Sequence, residues 1–239
     1  MLSPKAAQIR DMFSAIAHRY DFLNHVLSLN IDKLWRKKAV DLLRGSLRVP
    51  FPLCLDLCCG TGDLSLEMSC IAEATIVGCD FSHPMLHLQK EKLRKRMALG
   101  TILTVEADAL NLPFRSGTFD EVAIAFGLRN LDDPCLGLAE MYRVLKPGGA
   151  LVVLEFSKLS NPMLNHLFRY YFFRILPRIG RFVSRHDTAY TYLPDSVRQF
   201  PDQEELMREF RKCGFQKAGY RNLTSGVAAL HFGTKATVP

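Results

Sequence analysis

Two rhythms of apolar and polar positions run along the chain. Through the first fifty residues apolar side chains recur at helical spacing: Met12, Ile16, Tyr20 and Leu23 mark one amphipathic stripe, and Ile31 to Leu43 carry a second. Pro50 and Pro52 punctuate the end of this part. Short apolar runs then alternate with helical stretches. The runs are 53–58 (LCLDLC), 75–80 (TIVGCD), 102–108 (ILTVEAD), 121–127 (EVAIAFG) and 150–157 (ALVVLEFS). They are nearly continuous in apolar residues, as strands covered on both faces must be. Between them lie two helix candidates, one after Ser82 with a proline in its first turn, the other CLGLAEMYRVL. Ser82 is placed to cap the first, and Lys146 with Pro147-Gly148-Gly149 stops the second. The alternation predicts an α/β fold with a doubly wound, mostly parallel sheet.

The rhythm breaks after residue 160. Residues 161–200 are rich in arginine and aromatics and read as an inserted cap. A helix follows, with Asp202 and Glu205 forming a capping box and Gly214 a stop. The strand candidates QKAGYRNL and GVAALHFGT close the chain as a hairpin. The expected layout is one domain over 1–239: a helical cap (1–50), a binding core (51–160), a cap insert (161–200), and a C-terminal helix with hairpin (201–239).

Composition narrows the class. With 48% hydrophobic and 23% charged residues in 239, the chain can build a packed core and is not disordered. Its net charge of +7 comes from the first fifty residues, from KEKLRKR (Lys90 to Arg96), and from arginines between Arg169 and Arg185. Such a surface suits nucleic acid or an anionic membrane, or is simply a solvated face. The N-terminus has no signal-like apolar stretch, and no apolar run approaches the ~20 residues of a membrane span. The expected location is cytoplasmic, or peripheral on the inner face of a membrane. Seven cysteines, an odd count, fit reduced thiols.

Candidate chemistry centres on Leu53 to Asp63, LCLDLCCGTGD. A metal site lacks CxxC spacing and a second ligand cluster, so no metal is expected. A dinucleotide fingerprint aligned on Gly60 would need glycine at 58 and 63, where Cys58 and Asp63 stand. A phosphate loop would need GK[ST]. What remains is Asp56 near the end of a strand and Gly60-Thr61-Gly62 in a tight turn at its carboxyl end, where open α/β sheets bind ligands. The next two runs end in Asp80 and in Asp108-Ala109. Asp80 is positioned for ribose hydroxyls, and Asp108 or the amide of Ala109 for an adenine edge. Three successive acidic strand ends suit a nucleoside that carries positive charge and no phosphate, as S-adenosylmethionine does. The alternative is that aspartates follow strands because loops suit them.

LDLCCGTGD, GCDFSHPML, ADALNLPFRSGTFD, FGLRN and MYRVLKPGGALVVLEFSK resemble class I S-adenosylmethionine-dependent methyltransferases. With YDFLNHVLSL, ILPRIG, YTYLPDSVRQFPDQEEL and NLTSGVAALHFG, the chain resembles the UbiE/MenG quinone C-methyltransferases over almost its whole length. The resemblance implies a Rossmann-like three-layer sandwich with a seven-stranded, mostly parallel sheet whose last strand is antiparallel. It implies C-methylation of a prenylated quinol, with the methyl taken from S-adenosylmethionine. Carried over by position, donor contacts fall on Thr61, Asp80, Asp108 and Ala109, with Gly60 to Gly62 around the methionine part. Cys58 and Cys59 stand where many relatives have glycine or alanine, and Ala125 where some have a donor-touching serine.

Such a reaction needs the quinol hydroxyl deprotonated, so that its ortho carbon can attack the methyl in line. Arg129 and Asn130, after the fourth run, are expected beside the methyl. Arg129 would stabilise the phenolate or orient a water, and Asn130 would donate to the quinol oxygen. Tyr20 would approach from the cap, and His186 or Asp187 could serve as a base if the insert folds over the pocket. A structural ion pair for Arg129 and a core aromatic for Tyr20 are the alternatives. A naphthoquinol, as in menaquinone biosynthesis, is preferred to the benzoquinol of ubiquinone biosynthesis. The basic, aromatic segment 165–185 is a candidate membrane contact, or a cap with its arginines in water. Another small or lipid acceptor and a basic nucleic-acid-binding protein are the more distant readings; KEKLRKR fits an exposed helix face, and no nucleic-acid partner is expected.

Overall fold

The computed structural model describes residues 3–97, 101–159 and 187–237. Two helices come first, α1 (Pro4–Leu27) and α2 (Ile31–Ser46), where the helical spacing places them. Ser3 caps α1 by accepting from the Ala6 amide, with Pro4 in the first turn. Leu29 and Asn30, both in left-handed backbone at φ 53 and 61, turn the chain into α2.

The five predicted runs form strands β1 (Leu53–Leu57), β2 (Thr75–Asp80), β3 (Ile102–Glu106), β4 (Phe119–Ala125) and β5 (Leu145–Phe156). Between them lie α3 (Asp63–Met68), α4 (His83–Lys95) and α5 (Pro134–Val144). After the region outside the described residues come α6 (Asp187–Gln199) and α7 (Gln203–Lys212), then β6 (Gln216–Leu223) and β7 (Ala228–Thr234). The seven strands lie in the order β3-β2-β1-β4-β5-β7-β6. β1 to β5 pair in parallel, and β7 is antiparallel to both β5 and β6. The C-terminal pair is the expected hairpin, but its second strand, not its first, docks on the sheet.

Strand period divides the core into two layers. Leu55, Leu57, Val122, Ile124, Leu151 and Val153 face one layer, where Leu138, Met141 and Phe210 of α5 and α7 cover them. Cys54, Ile76, Ala123, Val152 and Leu154 face the other, under Trp35, Val40, Leu43, Met68 and Leu93 of α2, α3 and α4. Both faces of the central strands are therefore dry, which is why their sequences are apolar throughout. Strand order reverses between β1 and β4, and a crevice opens at their carboxyl ends.

Three local signals play out differently. Ser82 occupies the cap position of α4, but its hydroxyl lies 3.0 Å from that of Ser14 on α1 and does not cap the helix. The Lys-Pro-Gly-Gly stretch does end α5, yet it also enters β5 as an irregularity: pairing with β4 runs from Phe119–Leu145 to Glu121–Ala150. The Asp202–Glu205 capping box forms in full, and Gly214 follows α7 at φ 93. His186 and segment 165–185 lie outside the described residues. Asp187 opens α6.

Candidate active site

β1 ends in a turn in which alternate residues take left-handed backbone: Cys58 at φ 54, Gly60 at φ 54 and Gly62 at φ 85. Glycine adopts this at no steric cost, whereas a residue with Cβ is strained by roughly 1–2 kcal/mol. Cys58 thus holds a position whose backbone suits glycine. The turn is tied to β2 by the Cys59 amide on the Cys79 carbonyl (3.0 Å) and the Gly60 amide on Asp80 Oδ2 (2.9 Å). Gly62 opens α3, and a Cβ there would stand 2.6 Å from Gln89 Cγ.

Below the turn, Asp56 points away from the crevice. Ser65 donates to it, Gln89 Nε2 donates to Ser65 Oγ (3.2 Å), and Thr104 donates to Gln89 Oε1 (3.1 Å). This chain of bonds joins β1, α3, α4 and β3. Burial pushes the Asp56 carboxyl up to about 7, against the Ser65 hydrogen bond and Arg36. Thr61 also faces away: its hydroxyl donates to Asp21 of α1 and accepts from Lys92 Nζ at 3.1 Å. Asp56, Thr61 and Gly62 therefore shape and anchor the turn, because the strand pleat and the start of α3 direct them behind it.

A cavity of about 260 Å³ opens above the turn, at the carboxyl ends of β1, β2 and β4. Of the residues singled out from sequence, Gly60, Asp80, Asp108, Ala109, Asn130 and Tyr20 line it, as does Ala125. Asp80 accepts the Gly60 amide on one oxygen and the Ser82 amide on the other, at 2.9 Å each. Burial raises its pKa against these bonds. The Phe81 amide adds a third bond, and a carboxylate with about four acceptor sites still keeps room for a ligand hydroxyl. Asp108 is oriented by the Leu110 amide at 2.9 Å. With Asp132, three carboxylates line the cavity, and no lysine, arginine or histidine does so among the described residues. Such a lining repels phosphate and suits a cationic, phosphate-free nucleoside, so it fits S-adenosylmethionine.

Helix α1 is the cavity's outer wall. Ser3, Ile9, Phe13 and Tyr20 face inward, and polar ties hold the helix along its length. Ser3 donates to Asp132, Ser14 meets Ser82, Asp21 pairs with Lys92 at 2.6 Å, and His25 contacts Asp32 at 2.7 Å and Asp63 at 3.5 Å. Together His25, Asp32 and Asp63 have metal-ligand chemistry, yet Arg36 already bonds Asp32 and stands 3.6 Å from Asp63.

Arg129 does not line the cavity. Its side chain is 5% exposed, and its guanidinium pairs with Glu155 at 2.8 Å, donates to the Phe126 carbonyl, and lies 5.5 Å from the Phe156 ring. The short 3₁₀ turn Leu128–Asn130 explains this: it sends Arg129 to the carboxyl end of β5 and Asn130 into the cavity. The charge of Arg129 still reaches the site, because it opposes the upward push that burial gives the hydroxyls of Tyr20 and Tyr192.

Two residues of the site escaped sequence reasoning. Tyr192 of α6 donates its hydroxyl to Asn130 Oδ1 at 3.0 Å. The YTYLPDS motif held it, but nothing local ties that motif to strand β4. Phe126 lines the cavity with φ 58, an outlier for a bulky residue. Its carbonyl accepts from Arg129 and from Asn130 Nδ2 (3.3 Å), so the strained backbone aims both side chains.

Comparison with known proteins agrees with this geometry. The ubiE/COQ5 methyltransferase family matches residues 1–235. The ubiquinone/menaquinone biosynthesis C-methyltransferase UbiE of Citrifermentans bemidjiense is 44% identical over 238 residues, 98% of this chain and 99% of the relative. The protein of the same name from Idiomarina loihiensis is 41% identical over 231 residues, 95% of this chain and 90% of the relative. In fold, the [4+2]-cyclase SpnF superposes with a TM-score of 0.72 at 17% identity, covering 100% of this chain and 98% of that one. A possible histamine N-methyltransferase of Thermotoga maritima gives 0.66 at 20% identity, covering 94% and 98%. These two likenesses concern the fold alone. The chain belongs to the ubiE/COQ5 methyltransferase family, and it is a methyltransferase whose methyl donor is S-adenosylmethionine.

Proposed function

We propose that the protein C-methylates a prenylated quinol, with demethylmenaquinol as the acceptor ahead of a polyprenyl-benzoquinol. The observation that carries the reading is the pairing of a cavity lined by three carboxylates, and by no cation among the described residues, with Asn130 and Tyr20 on its wall, in a chain 41–44% identical to UbiE relatives. The names of those relatives join ubiquinone and menaquinone, so the preference for a naphthoquinol is this reading's own.

The donor supplies an electrophilic methyl on a sulfonium. Asp80 and Asp108 hold its nucleoside, and the Gly60 turn passes close to its methionine part. The quinol lies between Asn130 and α1. Asn130 Nδ2 carries two protons, of which the Phe126 carbonyl takes one and the quinol oxygen the other. Tyr192 fixes the amide so that Nδ2, not Oδ1, faces the acceptor. Arg129 acts from behind as a positioning residue and favours the phenolate through its field. Tyr20 closes the site from α1, and Ile9 and Phe13 exclude water. A peripheral membrane contact through 165–185 remains part of the proposal.

The test is competition between short-tailed demethylnaphthoquinol and benzoquinol acceptors for labelled methyl, with the product's methyl located by NMR. A new carbon-bound methyl, mostly on the naphthoquinol, is expected. Preference for the benzoquinol reverses the pathway, and an oxygen-bound methyl refutes the chemistry.

A further inference from the structure

The corner between α1 and α2 carries apolar side chains that the fold does not use. Phe22 is 59% exposed, Leu29 74% and Leu34 52%, with Val26 beside them at 38%. Phe22 and Val26 stand one helical turn apart on α1. Leu29 sits in left-handed backbone at the tip, and Leu34 begins the outer face of α2. A non-glycine residue in that conformation carries strain, and burial of Leu29 in the fold does not repay it.

The outer face of α2 continues the corner with cations. Lys33, Lys37 and Lys38 are exposed, while Trp35, Arg36, Ala39 and Val40 point inward. None of the three lysines has an ion pair among the described residues. Of the acids near the corner, Asp21 pairs with Lys92, Asp32 with Arg36, Asp63 with Arg36 and Lys92, and the exposed Asp41 of α2 with Arg44 at 3.8 Å. The patch therefore presents an apolar tip with a fringe in which the three exposed lysines outnumber the exposed acid, Asp41, of the same helix.

We propose that this corner is a docking surface for an anionic phospholipid membrane, with Phe22, Val26, Leu29 and Leu34 entering the headgroup boundary and Lys33, Lys37 and Lys38 meeting lipid phosphates. Charge decides the occupant. A second copy of this chain, also at +7, would bring its own lysines against these, whereas anionic lipid neutralises them. The placement has a use. The helix that presents Phe22 and Val26 is the one that walls the cavity with Ile9, Phe13 and Tyr20. Docking would bring that wall to the bilayer that holds a prenylated acceptor. This purpose rests on the quinol reading; the surface itself does not.

The experiment is co-sedimentation of the full chain with vesicles of phosphatidylcholine alone and of phosphatidylcholine with one quarter phosphatidylglycerol, at low and high salt. Wild type, F22S/L29S and K33E/K37E/K38E are compared, with circular dichroism to confirm folding. Binding only to the anionic vesicles is expected, weakened at least about fivefold in each variant and by salt. Methyl transfer to a short-tailed, water-soluble acceptor should be unchanged in F22S/L29S, while transfer to a vesicle-embedded acceptor falls. Equal binding of wild type and F22S/L29S overturns the proposal and moves the contact elsewhere in the chain. Absence of vesicle binding overturns it too, and a concentration-dependent dimer lost in F22S/L29S would then assign the corner to a second copy. If the corner binds vesicles but neither acceptor is methylated, the quinol reading fails and the docking surface stands.

Discussion

Arg129 is the residue at which charge and chemistry must be separated. It lies in a buried pair with Glu155, and burial raises the Glu155 carboxyl against the pull of Arg129. Removing one partner strands the other, so Arg129→Ala should cost about 3–5 kcal/mol in urea melts. The double variant R129M/E155L should recover most of that stability. If Arg129 tunes the acceptor, kcat in the double variant stays low despite restored folding. Recovery of kcat would make the pair purely structural. Two carboxyls under the sheet give a pH prediction. Burial pushes Asp56 up to about 7 and Glu121 up to about 8. Both folded values exceed the unfolded ones, so their contribution is full below pH ~4 and is lost as pH rises toward 7–8. Glu121 Oε2 has no hydrogen-bond partner among the described residues. Glu121→Gln should therefore match wild type near pH 4.5 and exceed it in stability at pH 8.5. Urea melts at the two pH values check this, and an equal effect at both would contradict it.

At the scale of elements, the site depends on two strand ends that lean on each other. Cys58 follows β1 and Phe126 follows β4, both left-handed, and Gly127 packs against Cys58: a Cβ on Gly127 would lie 2.6 Å from Cys58 Cβ. Gly127→Ala should destabilise the protein by about 1–3 kcal/mol, with Cys58→Gly restoring part of the loss in a double-mutant cycle. Additive effects would show that the two positions do not touch. The strands themselves were legible because double-sided burial writes unbroken apolar runs, and the turn because Gly60 and Gly62 adopt backbone that disfavours other residues. The direction of Asp56 and Thr61 was not legible. Which face of a strand end meets the ligand depends on the helix that follows, and sequence spacing does not state it. Arg129 and Asn130 show the same limit: adjacent in sequence, they diverge because a 3₁₀ turn separates their faces. Ser82 looked like a cap, but a hydroxyl contact to Ser14 of α1 took its place. The Tyr192–Asn130 bond spans 62 positions of chain, and no local pattern encodes it.

Across the whole molecule, charge is segregated. The surface is basic, and Lys90, Arg94, Lys95 and Arg96 of the KEKLRKR run are exposed as expected, while Lys92 turns inward to Asp21 and Asp63. The cavity wall is acidic. Loss of a cavity carboxylate should therefore weaken the donor more than the acceptor: Asp80→Asn should raise the donor KM about tenfold or more with the acceptor KM little changed. An equal rise in both would mean that Asp80 holds the turn and not the ligand. Among the described residues no helix is long and apolar enough to cross a membrane.

Methyl transfer to a ring carbon requires the reduced ring, whose phenolic proton can be given up. The most direct measurement is incorporation of labelled methyl from S-adenosylmethionine into a short-tailed demethylnaphthoquinone, run in parallel under strong reductant and without it. Rapid incorporation into the quinol and none into the quinone is expected, since the oxidised ring has no phenolic proton to give up. Equal incorporation into both forms, or donor binding with transfer to neither, would contradict the quinol reading.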